Sequence, residues 1–172
     1  MIFEYGSPIL RVKCTKIDSL SDPISVKMCI EDLKKTLELT PNAVALSANQ
    51  LGHKWCAFSI RDRGRIKVVL NPILLFKNDY HLVMDEGCMS IPGPTTTVER
   101  YGFISVEHGM PGNRYVNFLR GYEARVWQHE IDHLNSILIY DHISTNEGKA
   151  EFLKIFEDNR GSLREIQIPQ VP

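Results

Sequence analysis

The segment Gln128-His129-Glu130-Ile131-Asp132-His133 restricts this chain more than any other feature. His129 and His133 are four residues apart, so on a helix both rings project from one face. Both can then offer nitrogens to one metal ion about 2.0–2.1 Å away. Glu130 precedes His133 by three residues and shares the neighbouring face. It reaches a water beside such an ion without being forced to ligate it. The helical period extends over about 121–138. Val126, His129, His133 and Ile137 form one stripe, and Trp127, Ile131, Leu134 and Leu138 form another. Two apolar stripes predict a helix buried on more than one side, as a central core element is.

The remaining pattern predicts an α+β fold, with mixed or antiparallel sheets packed around that helix. An amphipathic run predicts an N-terminal helix over about 23–40, with Asp22 as its cap and Pro23 in the first turn. A C-terminal helix is expected over about 146–158, followed by an irregular tail from Gly161. Strand-like runs are Trp55–Ile60, Arg65–Leu70, Ile73–Phe76, Tyr80–Met84, Gly102–Glu107 and Tyr115–Phe118. Asp62-Arg63-Gly64 and Met110-Pro111-Gly112-Asn113 mark turns between them.

Composition removes whole classes of function. The 172 residues suit one domain, residues 1–172. Lys plus Arg total 20 against 21 for Asp plus Glu, a net charge of −1. Such a chain has no basic field for a nucleic-acid backbone or an anionic membrane surface. No apolar run approaches the ~20 residues of a membrane span. The N-terminus lacks the pattern of a secretory signal, so a cytoplasmic, reducing location is expected. Four cysteines are too few for a disulfide scaffold. Cys14, Cys29 and Cys56 sit among apolar residues and are expected in the core. His53, His81, His108 and His142 lack partners at helical spacing and are expected to be surface or structural.

Two histidines do not hold a metal alone. Six residues after His133 stands Ile139, and no glutamate follows within ten residues. Cys88, in Asp85-Glu86-Gly87-Cys88-Met89-Ser90, is the best third ligand, because a metal deprotonates a thiol outright. The same residue also reads as a small buried apolar group or as a nucleophile. Three ligands leave one position open for water, the catalytic arrangement. Hydrolysis of an amide-like bond follows, with zinc as the ion the residue types favour.

Glu86-Gly87-Cys88-Met89-Ser90 resembles the E-G-C-L-S motif of the peptide deformylases. Gln128-His129-Glu130-Ile131-Asp132-His133-Leu134 resembles their Q-H-E-x-D-H-L motif. Ala43-Val44-Ala45-Leu46-Ser47-Ala48-Asn49-Gln50 is an imperfect match to their G-x-G-L-A-A-x-Q motif. The resemblance implies removal of the N-formyl group from the formylmethionine of new polypeptides. It implies one Fe²⁺ per chain, replaceable by Zn²⁺, Ni²⁺ or Co²⁺, held by Cys88, His129 and His133. Iron rests on the resemblance alone, since Fe²⁺ sits low in the affinity order. Glu130 is then general base and general acid to a metal-activated water, while the Gln50 amide and the Met89 N–H stabilise the oxyanion. Val44, Ala45, Gly87, Tyr122, Arg125 and Val126 are expected around the substrate. The implied partners are N-formylmethionyl peptides and nascent chains, with weak ribosome association and a monomeric state. Glu86 is a candidate to orient a ligating histidine, and Arg100 or Asp132 to complete an ion pair.

The departures are specific. Alanines replace both glycines of the first motif, and its alanine pair reads Ser47-Ala48. Met89 stands for leucine and Ser136 for glycine. Arg125 stands where the family has an apolar pocket residue; it either snorkels out or changes substrate preference. Two other readings remain at this level. One is a metallopeptidase cutting internal bonds, and the other is a non-catalytic binder of formylated N-termini.

Overall fold

In the computed structural model, which describes residues 1–166, Asp22 starts the first helix, α1 (Pro23–Leu39). Its carboxylate accepts from the N–H groups of Ile24 at 3.3 Å and Ser25 at 3.1 Å, and Pro23 lies in the first turn, where no N–H partner is needed. The helix buries Cys29, Leu33 and Leu37. It packs on a sheet of β1 (Ala45–Ser47), β2 (Ala57–Asp62) and β3 (Arg65–Leu70), antiparallel in that order. The β2–β3 turn places Arg63 and Gly64 at φ 49° and 78°. Positive φ at both central residues is the hairpin turn that matches strand twist.

A second antiparallel sheet has the order β4 (Ile73–Lys77), β7 (Phe103–Met110), β8 (Asn113–Arg120). Pro111-Gly112 closes its β7–β8 hairpin, with Gly112 at φ 82°. Between these strands in sequence, β5 (His81–Cys88) and β6 (Ile91–Tyr101) form a separate hairpin. Asn71 joins the N-terminal segment to this framework. It sits at φ 48°, and its amide pairs with both Ile17 N–H and Ile17 C=O at 2.8 Å.

The helix α2 (Gly121–Leu134) lies at the centre. Ala124, Trp127 and Leu134 pack with Phe58, Ile60 and Val69 of one sheet and with Ile104, Val106 and Leu119 of the other. This is the burial on two sides that its stripes predict. The helix α3 (Asn146–Ile166) closes a second cluster, in which Phe152 and Phe156 meet Leu10, Ile91, Leu138 and Ile139. The architecture is α+β. No helix among the described residues is long and apolar enough to cross a membrane.

Several expectations need correction. The central helix stops at Leu134 rather than 138, because Ser136 adopts φ 64° and Ile137 N–H turns back to Asp132 C=O at 2.9 Å. Leu138 remains buried from a loop, and Ile137 is exposed. The last helix continues through Ile166, past the expected end at 158; the rest of the tail lies outside the described residues. Strand β6 was hidden by Pro92, Gly93 and Pro94. Proline lacks a ladder N–H, but these residues fall in the register shift between the Cys88–Ile91 and Glu86–Thr96 pairs, an irregularity that tolerates it. Cys14 and Cys29 are buried as expected, while Cys56 is half-buried.

Ser136 holds a left-handed conformation that costs a non-glycine residue about 1 kcal/mol. Ser136→Gly should therefore stabilise the fold by about 0.5–1 kcal/mol, the relief exceeding glycine's extra chain entropy. A urea unfolding midpoint higher than wild type checks it.

Candidate metal centre and active site

Cys88 ends β5 and is followed by the two-residue turn Met89-Ser90, since Cys88 pairs with Ile91 across the hairpin. Strand alternation turns Glu86 and Cys88 to the buried side and leaves Gly87 exposed. The register slips between Glu86 and Cys88, an irregularity of the kind that re-aims side chains. Gly87 has ordinary negative-side φ, and a methyl there would meet only the Thr95 side chain at 3.7 Å. The protein interior thus does not require glycine at this position.

His129 and His133 project from α2 toward this turn, with ring centroids 5.0 Å apart. One ligand atom each from Cys88, His129 and His133 lies within 4.8 Å of the others. His133 Nε2 is 3.2 Å from Cys88 Sγ. The Nδ1 of His129 is taken by Glu86 Oε2 at 3.0 Å, which leaves Nε2 facing the thiol. His133 is 1% exposed, and its Nδ1 has no hydrogen-bond partner among the described residues.

The carboxylate of Glu86 is a buried hub. Arg100 donates to it twice, Nε to Oε1 at 3.0 Å and Nη2 to Oε2 at 2.9 Å. Arg125 Nη1 donates to Oε1 at 2.6 Å. Arg100 also reaches Asp132 at 2.5 Å, and Asp132 in turn meets His142 at 2.9 Å. Burial alone raises the pKa of Glu86, but the hydrogen bonds and charges of His129 and Arg100 outweigh it and hold it far below the carboxylate range.

Arg125 does not snorkel. It is 3% exposed and spends its guanidinium on Glu86 and on the carbonyls of Leu82 at 2.5 Å and Val98 at 3.0 Å. Its position one turn before His129 sends both side chains to the same carboxylate. Arg125 therefore ties α2 to the β5–β6 hairpin that carries Cys88.

The first motif lies opposite. Neither Ala43 nor Ala45 is among the residues with positive φ, so alanine costs no backbone strain there. Both line an open cleft of 440 Å³ together with Val44, Gln50, Gly87, Met89, Tyr122, Val126 and Glu130. Arg125 and His129 border the same cleft. Gln50 is 2% exposed. Its Oε1 accepts from Ser47 N–H at 2.8 Å, while its Nε2 donates to Ser90 Oγ at 3.0 Å and lies 3.8 Å from Cys88 Sγ. The N-terminal segment braces both loops, through Phe3 N–H to Gln50 C=O and Tyr5 N–H to Ser90 C=O, each 2.7 Å.

Glu130 is 3% exposed and accepts from Ser47 Oγ at 2.5 Å. Burial pushes its pKa above the ordinary carboxylate value, against the opposing pull of His129 and Ser47. Three contributors were not legible as site residues. Ser90 holds Gln50, Asn49 Nδ2 donates to His133 C=O at 2.6 Å, and Gln128 pairs both backbone groups of Tyr101 at 3.0 and 2.9 Å. All three lie within the quoted motifs, and that proximity was the only signal available.

The donor set suits a cation. Burial lowers the pKa of His129, yet its bonds to Cys88 and Glu86 overcome this and raise it well above the usual value. Burial and the neighbouring His129 hold His133 well below it. A thiol and two imidazoles whose ligand atoms lie within 4.8 Å of one another fit a divalent ion.

A largely buried Cys-His-His cluster beside a desolvated glutamate in an open cleft defines the class of metal-dependent hydrolases. The family model for Polypeptide deformylase matches residues 1–149. The peptide deformylase of Pseudothermotoga lettingae is 32% identical over 158 residues, covering 91% of this chain and 90% of the relative. Peptide deformylase 1 of Clostridium perfringens is 35% identical over 137 residues, 78% of this chain and 90% of its own. The crystal structure of the Thermotoga maritima peptide deformylase superposes with a TM-score of 0.75 at 33% identity, covering 84% of this chain and 97% of that one. A Legionella pneumophila peptide deformylase shares the fold at TM-score 0.84 and 23% identity, covering 98% of each chain. The chain belongs to the peptide deformylase family.

Glu86→Gln should cost about 3–5 kcal/mol at neutral pH, because it removes the buried charge that Arg125 and Arg100 share and leaves Arg100 with Asp132 alone. The pKa of Glu86 is lowered on folding, so its contribution is complete above the unfolded value near ~4.3 and fades as pH falls toward the folded one. Urea denaturation of both proteins at several pH values checks the size and the sign.

Proposed function

We propose that this chain removes the N-formyl group from formylmethionine at the start of new polypeptides, with residues 1–172 acting as one catalytic domain. The observation that carries the reading is the convergence of Cys88, His129 and His133 at a cleft that Glu130 and Gln50 also line. These three residues would hold one divalent ion, Fe²⁺ by family resemblance. When bound, the ion supplies Lewis acidity, lowering the pKa of a water beside it and polarising the formyl oxygen.

The chain's own residues do the rest. Glu130 takes a proton from the water as its oxygen adds to the formyl carbon. The Gln50 side-chain amide and the Met89 N–H donate to the oxygen that gains negative charge, each donor worth about 3–4 kcal/mol in comparable sites. Glu130 then gives its proton to the amine nitrogen as the C–N bond breaks. Formate and a free methionine amino group are the products. A raised pKa suits a group that must both take and return a proton.

Val44, Tyr122 and Val126, with the aliphatic stem of Arg125, provide apolar walls for the methionine side chain. Ala45 and Gly87 border the cleft where the peptide backbone would run. The near-neutral charge suits a short, mostly apolar N-terminus as partner rather than nucleic acid. A monomer in the cytoplasm working on nascent chains, with weak attachment to the ribosome, completes the reading.

The test is an anaerobic assay of formyl-Met-Ala peptides with metal content measured on the same sample, since a thiolate ligand is open to oxidation. Wild type should release formate. Glu130→Ala should keep its metal and lose at least ~10²-fold in turnover, whereas Cys88→Ser should lose the metal itself. A metal-loaded wild type that spares formyl-Met peptides and cuts internal bonds would overturn the reading.

A further inference from the structure

We propose that Ser47 is a positioning residue for Glu130, holding one carboxylate oxygen through its hydroxyl so that the other is presented to the substrate. This rests on the deformylase reading and deepens it. Ser47 stands where the motif quoted above has an alanine, and alanine offers no hydroxyl for this bond.

The geometry is closed on every side. Ser47 ends β1 and is fully buried. Its Oγ lies 2.5 Å from Glu130 Oε2 and 3.2 Å from the Glu130 carbonyl oxygen. A hydroxyl has one proton, and the nearer, charged acceptor takes it. Ser47 N–H meanwhile donates to Gln50 Oε1 at 2.8 Å, which fixes the amide so that Nε2 faces the Cys88 turn. One residue thus orients the proton carrier with its side chain and the oxyanion donor with its backbone. The side-chain half can be removed without touching the backbone half.

The physical effect is on orientation. A buried glutamate has rotatable bonds that let either oxygen face the cleft. Occupying Oε2 with a donor removes that freedom and leaves Oε1 for the reacting water and the leaving amine. General acid–base catalysis requires the heavy atoms within about 2.6–3.2 Å in a defined direction. Loss of the tether scatters the carboxylate over conformers, most of them unproductive. The substrate's own contacts, with Val44, Tyr122 and Val126, do not involve this bond.

The test compares wild type, Ser47→Ala and Ser47→Thr, each loaded with the same metal and checked for fold by circular dichroism. Ser47→Ala should lose about 10–100-fold in kcat, part of the whole general acid–base effect, with KM within twofold and metal content unchanged. Ser47→Thr keeps the hydroxyl and should recover most of the rate. A second readout needs no turnover. In metal-free protein, Ser47→Ala should lower the urea midpoint in the Glu130 background and have a clearly smaller effect in a Glu130→Ala background, because only the first carries the bond. An active wild type with an unchanged kcat in Ser47→Ala overturns the proposal and leaves the deformylase reading standing. Equal midpoint shifts in both backgrounds also overturn it. An inactive, metal-loaded wild type overturns both together.

Discussion

The Glu86 carboxylate sits away from water between Arg100, Arg125 and His129. An isolated carboxylate there would neutralise itself, and an isolated guanidinium would be excluded. Each is tolerated because the others are present. The consequence reaches beyond charge. His129 comes from α2, Glu86 from β5 and Arg100 from β6, so one carboxylate fixes the rotation of the central helix against the hairpin that ends at Cys88. A buried ion cluster of this kind does little for net stability against an apolar alternative. In this fold its value lies in register, because a slip of either element would separate the three groups that could hold a metal ion.

The opposite wall of the cleft is held by smaller bonds. Ser47 touches Glu130, Asn49 touches the carbonyl of His133, and Gln50 reaches Ser90 beside Cys88. Three segments far apart in sequence are thereby cross-linked around the cleft. The N-terminal residues brace two of those segments from behind, through backbone bonds that ask nothing of side-chain identity. Such preorganisation is what transition-state stabilisation needs, since donors already in place require no reorganisation as charge develops.

Much of the fold was legible because local rules and global packing agree. Asp22-Pro23 opens α1, Arg63-Gly64 turns the first hairpin, and the double stripe of α2 reports its burial between sheets. Errors arose where local rules are overridden. The helical period runs past Leu134, but a single left-handed residue, Ser136, ends the helix. Pro92 and Pro94 look like breakers, yet they fall where the β5–β6 register shifts, and such an irregularity accepts proline. Arg125 looked out of place in an apolar pocket, because its partner, Glu86, is 39 residues away in sequence and adjacent only in space.

The sequence by itself determined the chemistry. The spacing of His129, Glu130 and His133 on a helix, and the presence of a thiol at Cys88, are set by residue type and by the period of the helix. The tertiary structure decided which long-range partners those residues have. It placed Cys88 Sγ 3.2 Å from His133 Nε2, set Glu86 behind His129, and brought the Ser47 hydroxyl to within 2.5 Å of Glu130. No local pattern encodes such contacts, because they arise when two sheets and a hairpin close on one helix, and packing rather than sequence distance selects the neighbours.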